Sequence, residues 1–197
     1  MPGDIIVSTF LKWTAGLPLQ KQVISIFSHI RDIPYALLPG NRKYGPEHIL
    51  ITGRGSCGPK HYLLGSMFTM LGIPVRYQTW PFTWNDPSLS FPPELRASAA
   101  LLDVTNHLAC QAQINGTWVL IDATWDLPLE RVGFPVNRNW DGRSDTLLAV
   151  HPVNAPDIPA LREKKEPGTR NNIQGSTGRD DFVNLFNDWL DEVRNRT

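Results

Sequence analysis

Apolar residues recur at helical spacing in two stretches near the start of the chain, 4–15 and 19–31. In the second, Val23, Ile24, Phe27 and Ile30 share a face. The proline- and glycine-bearing stretch from Ile33 to Pro46 reads as a loop, and 48–52 is a short apolar run whose type the pattern leaves open. From Tyr62 to Leu71 nearly every side is apolar, and a helix of that kind is buried rather than amphipathic. Its ends are marked. Ser56 suits an N-cap, Pro59 falls in the first turn, Gly72 suits a left-handed C-cap, and Pro74 follows. The pattern therefore predicts a central helix with Cys57 at its N-terminus.

Val75 to Trp80 predicts a strand, and the proline-rich stretch 81–96 predicts irregular chain. Residues 107–114 and 117–122 predict two strands joined at Asn115-Gly116, a strong two-residue hairpin signal. The stretch 127–160 is rich in proline, with one strand expected near Leu147–Val150. Residues 163–180 are polar and predict a mobile loop, and a final helix is expected over 181–195. That helix gathers Phe182, Val183, Leu185, Phe186, Trp189, Leu190 and Val193 on one side.

With 197 residues, one domain over 1–197 is the expectation. Nineteen basic residues balance nineteen acidic ones, which removes the electrostatic case for a nucleic-acid partner. No run is apolar over the ~20 residues a membrane helix needs, so no membrane partner is expected. Asp4 and Lys12 interrupt the N-terminal stretch where a signal peptide would be basic and then apolar. Two cysteines make no disulfide framework. A reducing, cytoplasmic setting is the simpler expectation.

Chemistry enters with Cys57. At a helix N-terminus the dipole and free N–H groups favour the thiolate, and the same N–H groups suit a tetrahedral oxyanion. The hairpin supplies partners. With its turn at 115–116, paired positions sum to about 231, which puts His107 and Asp122 diagonally on one face. Blander readings stand beside this one. Asp122 could cap the turn into Ala123-Thr124-Trp125. His61 reads as packing or surface, Cys110 as core facing away from His107, and Trp118 and Trp125 as core aromatics. A zinc set of Cys57, His61, His107 and Cys110 is disfavoured because the last two point to opposite faces of a strand.

The segments Gly55-Ser56-Cys57, opening an apolar helix that ends Leu71-Gly72-Ile73-Pro74-Val75-Arg76-Tyr77, and His107 followed by Asn115-Gly116-Thr117-Trp118 and Ile121-Asp122-Ala123-Thr124-Trp125, resemble the transglutaminase-like superfamily. The order Cys, His, Asp and the gaps of 50 and 15 positions are similar to that family's. The resemblance implies an α+β, papain-like fold, with a helical part carrying Cys57 packed on an antiparallel sheet carrying His107 and Asp122. It implies Cys57 as nucleophile, His107 as general base and then acid, and Asp122 as orienter of His107. The reaction implied is thioester formation from a protein or peptide substrate, resolved by water or an amine, with no cofactor and no metal. The family's upstream oxyanion donor has Gln20, Gln22 and Tyr44 as candidates. Leu108 departs from the family's usual residue after the histidine, and a binding module on the same fold is the rival from another class. An arylamine acetyltransferase shares the triad, but Arg54-Gly55-Ser56-Cys57 is one residue short of its loop.

Overall fold

The computed structural model describes residues 2–38, 44–153 and 177–196. Helices α1 (Pro2–Thr14) and α2 (Leu19–Asp32) pack on each other, followed by a short α3 (Pro46–Thr52) and the central α4 (Cys57–Met70). Strand β1 (Val75–Phe82), helix α5 (Pro93–Ala99), strands β2 (Thr105–Ile114) and β3 (Thr117–Ile121), a 3-10 turn over Leu127–Val132 and α6 (Thr177–Asn195) complete the order. The three strands form one antiparallel sheet with β2 in the middle, so the fold is α+β.

The turn chemistry sets the register. Asn115 and Gly116 both take positive φ, 50° and 83°, as the tight hairpin turn demands. Partners along β2 and β3 then sum to 231, from Ile114↔Thr117 to Cys110↔Ile121. At the other end of α4, Gly72 takes φ 76°, and the N–H of Ile73 returns to the Phe68 carbonyl at 3.0 Å, closing the helix where the sequence places its end.

Two apolar cores lie against the sheet. One joins α2 and α4 to Cys110, Ala112, Val119 and Ile121, with Ile26, Phe27, Leu63, Leu64, Met67 and Phe68 wholly sequestered. The other is aromatic: Phe82, Trp84, Phe91, Trp125, Phe134, Phe186 and Trp189 pack ring against ring around α6, several of them edge to face. Helix α4 spans the junction. Its body lies in the first core, while Cys57 at its tip packs against the second.

Several expectations change. The run at 48–52 is helical, within α3. The proline-rich stretch contains the end of β1 and the start of α5. No strand forms near 147–150, because side chains take over the ladder's role there. Asn137 brackets Leu147, accepting its N–H at 2.8 Å and donating to its carbonyl at 2.8 Å, while Ala149 bonds Asp122 and Trp125. Residues 177–180, placed in the mobile loop by composition, open α6, and the rest of that loop lies outside the described residues. Trp118 is 37% exposed, because Val119 and Ile121 take the inward positions of β3, and the Arg76 guanidinium lies 4.4 Å above its ring. Trp125 is core. Among the described residues, no helix is long and apolar enough to cross a membrane.

Candidate active site

Strand β3 ends at Ile121 while β2 runs on toward its own start at Thr105, so the β3-facing edge of β2 is left open around His107. Asp122 follows directly. Its Oδ1 accepts the Thr124 N–H at 3.1 Å and the Thr124 hydroxyl at 2.6 Å, which turns the chain away from the sheet. Its Oδ2 faces His107 Nε2 at 2.7 Å and accepts the Ala149 N–H at 2.8 Å. Asp122 thus caps the turn with one oxygen and meets His107 with the other. His107 is the third residue of β2 rather than its first, and Asp122 lies one past β3 rather than within it.

The N-terminus of α4 enters this gap. Ser56 occupies the N-cap position with extended geometry, φ −83° and ψ 177°, but its hydroxyl makes no cap bond. The Cys57 thiol stands beside the His107 imidazole and the Leu108 main-chain N–H, and both favour its ionised form. Because His107 Nε2 is committed to Asp122, Nδ1 is the nitrogen left to face the sulfur. Cysteine, imidazole and carboxylate are therefore gathered at one point, the imidazole hydrogen-bonded to the carboxylate, with His107 and Asp122 both sealed from solvent.

The electrostatics follow the contacts. Burial pushes the Cys57 thiol up, but the His107 hydrogen bond and charge, with the Leu108 N–H, outweigh it and hold the thiol below its ordinary value. Burial disfavours the His107 cation, yet the Asp122 charge and hydrogen bond dominate and raise the imidazole to about 10. Burial also works against the Asp122 anion, and His107, His61 and Thr124 together hold the carboxyl well below the usual range. The arrangement favours a thiolate–imidazolium pair.

Five residues that sequence reasoning set aside or missed frame the site. His61 is wholly buried beside Asp122 rather than at the surface. Lys60 is equally buried, and its ammonium donates to the carbonyls of Arg31 at 3.0 Å, Ile33 at 2.8 Å and Thr124 at 2.6 Å. Tyr35 is 3% exposed, packs on Trp125 at 4.4 Å, and is bridged to Gly55 two residues before Cys57. Burial raises its phenol well above the ordinary value, and the negative charge of Cys57 and Asp122 raises it further, so the hydroxyl keeps its proton. Asp126 receives the Tyr35 N–H at 2.8 Å, and Arg194 of α6 clamps both Asp126 oxygens, at 2.8 and 2.9 Å, together with the Tyr35 carbonyl at 2.7 Å. No sequence period announces these contacts; the placement of Lys60 and His61 within an otherwise apolar helix was the available signal. Of the candidate upstream donors, Gln20 donates to the Asp141 carbonyl and Gln22 to the Thr14 carbonyl, while the Tyr44 ring lies tilted against His48 at 4.4 Å.

Cys110 sits in the other core with its thiol toward the Ile121 carbonyl, facing away from His107 as strand parity requires. Among the described residues no group of three His, Cys, Asp or Glu side chains is arranged to hold a metal ion.

No curated protein matches the chain. Among solved structures, a candidate cysteine protease from Cytophaga hutchinsonii is similar at 20% identity and a TM-score of 0.45, covering 67% of this chain and 40% of its own. A candidate protease from Parabacteroides distasonis stands at 17% and 0.43, covering 62% and 23%, and a TGase at 12% and 0.44, covering 65% and 33%. This chain therefore spans well under half the length of those structures. The family model described as "Transglutaminase-like superfamily" matches residues 14–123, which hold Cys57, His107 and Asp122 and make up more than half of the sequence, and the chain belongs to that superfamily.

Proposed function

We propose that the protein is a cysteine-dependent acyl-transfer enzyme acting on a peptide or carboxamide bond of a protein or peptide substrate. One observation carries this reading: the Cys57 thiol, at the head of a buried helix, stands beside the same imidazole whose Nε2 lies 2.7 Å from the buried Asp122. In the proposed course, the Cys57 thiolate attacks the carbonyl carbon and the carbonyl electron pair moves onto oxygen. The main-chain N–H of Cys57 and the Tyr35 hydroxyl, kept protonated by burial and by its negative neighbours, serve as donors to that oxyanion. The imidazolium of His107 gives its proton to the departing amine, leaving a thioester. Neutral His107 then takes a proton from water or from an incoming amine, which attacks the thioester and frees Cys57. Asp122 stays ionised throughout and holds His107 in the tautomer and orientation that both steps need.

The test is alkylation with iodoacetamide across pH, mapped by peptide mass. Cys57 is expected to react well below the ordinary thiol pKa of ~8.5. Cys110, whose thiol burial pushes far up, is expected to stay unmodified in the folded protein. A panel of peptide carboxamides, read for released ammonia or amine with and without an added primary amine, then assigns hydrolysis or transfer, with Cys57→Ala as the blank. A Cys57 that titrates as an ordinary thiol overturns the enzymatic reading in favour of a binding module.

A further inference from the structure

His61 lies one turn along α4 from Cys57, wholly buried, and touches both ends of the proposed site. Its Nδ1 is 2.8 Å from the Cys57 carbonyl oxygen, and its Nε2 receives the Ala123 main-chain N–H at 3.0 Å while standing 3.5 Å from Asp122 Oδ1. A carbonyl only accepts and a main-chain N–H only donates, so these two contacts admit one form of the ring: neutral, with its proton on Nδ1.

We propose that His61 is a positioning residue, a neutral imidazole strut that fixes the nucleophile's helix turn against the peptide following Asp122. The inference rests on the functional reading above and goes beyond it. The strut spans a junction that the β2–β3 ladder does not bridge. Cys57 belongs to α4 and Asp122 to the turn after β3, where the β2–β3 ladder has already ended. The alternation of helix geometry explains the reach: a side chain at i+4 leans back over the turn carrying residue i.

Neutrality is part of the device. A protonated Nε2 would set a donor against the Ala123 N–H and offer Asp122 Oδ1 a second cation in competition with His107. The groups facing the ring are Cys57 and Lys60 from α4, His107 from β2, and Asp122. Burial lowers the imidazole most and Asp122 opposes it; the His107 and Lys60 charges lower it further, leaving it at about 4. The carboxylate is thereby reserved for His107 across the neutral range.

The test uses the full chain. In the parent, nitrogen NMR of His61 at pH 6 is expected to show the Nδ1–H neutral tautomer; an Nε2–H tautomer or an imidazolium overturns the proposal whatever the variants do. His61→Phe keeps the ring's volume and removes both nitrogens, and His61→Gln keeps a polar end near the reach of Nε2. In the folded Phe variant, Cys57 alkylation at pH 6 is expected to slow at least about tenfold with its pH midpoint moved upward, and kcat to fall about 100-fold with KM near the parent's, as for a misplacement of about 1 Å. The Gln variant is expected to recover part of both, and it carries the comparison if the Phe variant does not fold. A lowered melting temperature with the parental alkylation profile in a folded variant would mean that His61 only packs, and would overturn the proposal. An inert Cys57 in the parent sinks the catalytic reading instead, and the tautomer measurement still reports on His61.

Discussion

Replacing Asp122 with Asn removes one charge and almost no volume, and the surroundings make its effect calculable. The carboxylate accepts four hydrogen bonds, from His107 Nε2 and the Ala149 N–H on one oxygen and from the Thr124 N–H and hydroxyl on the other. An amide has one oxygen. With the amide nitrogen toward Thr124, it opposes a main-chain N–H with another donor. With the nitrogen toward His107, it orphans the Ala149 N–H and donates to Nε2, which forces the ring proton onto Nδ1, the nitrogen facing Cys57. In that tautomer the imidazole no longer accepts the thiol proton. An orphaned buried donor costs about 1–3 kcal/mol of stability. The wrong tautomer costs about 10⁴-fold in kcat where the same substitution has been made in a serine-protease triad. Asp122→Asn is therefore expected to stay folded with a melting temperature several degrees lower. Its Cys57 is expected to alkylate with a midpoint raised to that of an ordinary thiol. The readouts are calorimetry and the iodoacetamide pH profile. A folded Asp122→Asn protein whose Cys57 keeps the parental midpoint refutes the reasoning, since it would mean that the carboxylate does not set the state of the pair.

Two further predictions come from the same contacts. Activity is expected to follow a bell in pH. It falls on the acid side as the Cys57 thiolate takes up a proton at its lowered value, and on the alkaline side as His107 loses its proton near about 10; a rate that still climbs steadily above pH 11 would contradict the imidazolium as proton donor. Lys60→Met orphans three buried carbonyls and removes a cation from among Asp126, Asp122 and Asp32, with an expected cost of about 3–5 kcal/mol, seen as a fall in melting temperature of roughly 10 °C; a shift within about 2 °C would show that the ammonium is not holding these segments together.

The limits of the site's frame differ from those of the family match. Residues 14–123 contain the three proposed reacting side chains, yet part of what holds Tyr35 and the turn after Asp122 comes from beyond them. Arg194 of α6 binds Asp126 and the Tyr35 carbonyl, and Asp191 binds Arg54, two residues ahead of Ser56. Helix α6 thus fastens the segments on either side of Cys57 from outside.

What the sequence determined by itself was local. The two ends of α4, the Asn115-Gly116 turn and the register it imposes follow from backbone preferences acting over a few residues, and the register in turn put His107 and Asp122 within diagonal reach. The ordered Cys57, His107 and Asp122 were legible for that reason. Tertiary structure alone decided which buried polar groups meet. That His61 meets the Ala123 N–H and Lys60 the Thr124 carbonyl, that Tyr35 pairs with Gly55, and that side chains replace a strand at 147–150 each depend on contacts between segments far apart in the chain. Periodicity reports only that a position is buried or exposed; the partner of a buried donor is fixed when the two cores close against the sheet and every such group must find an acceptor there.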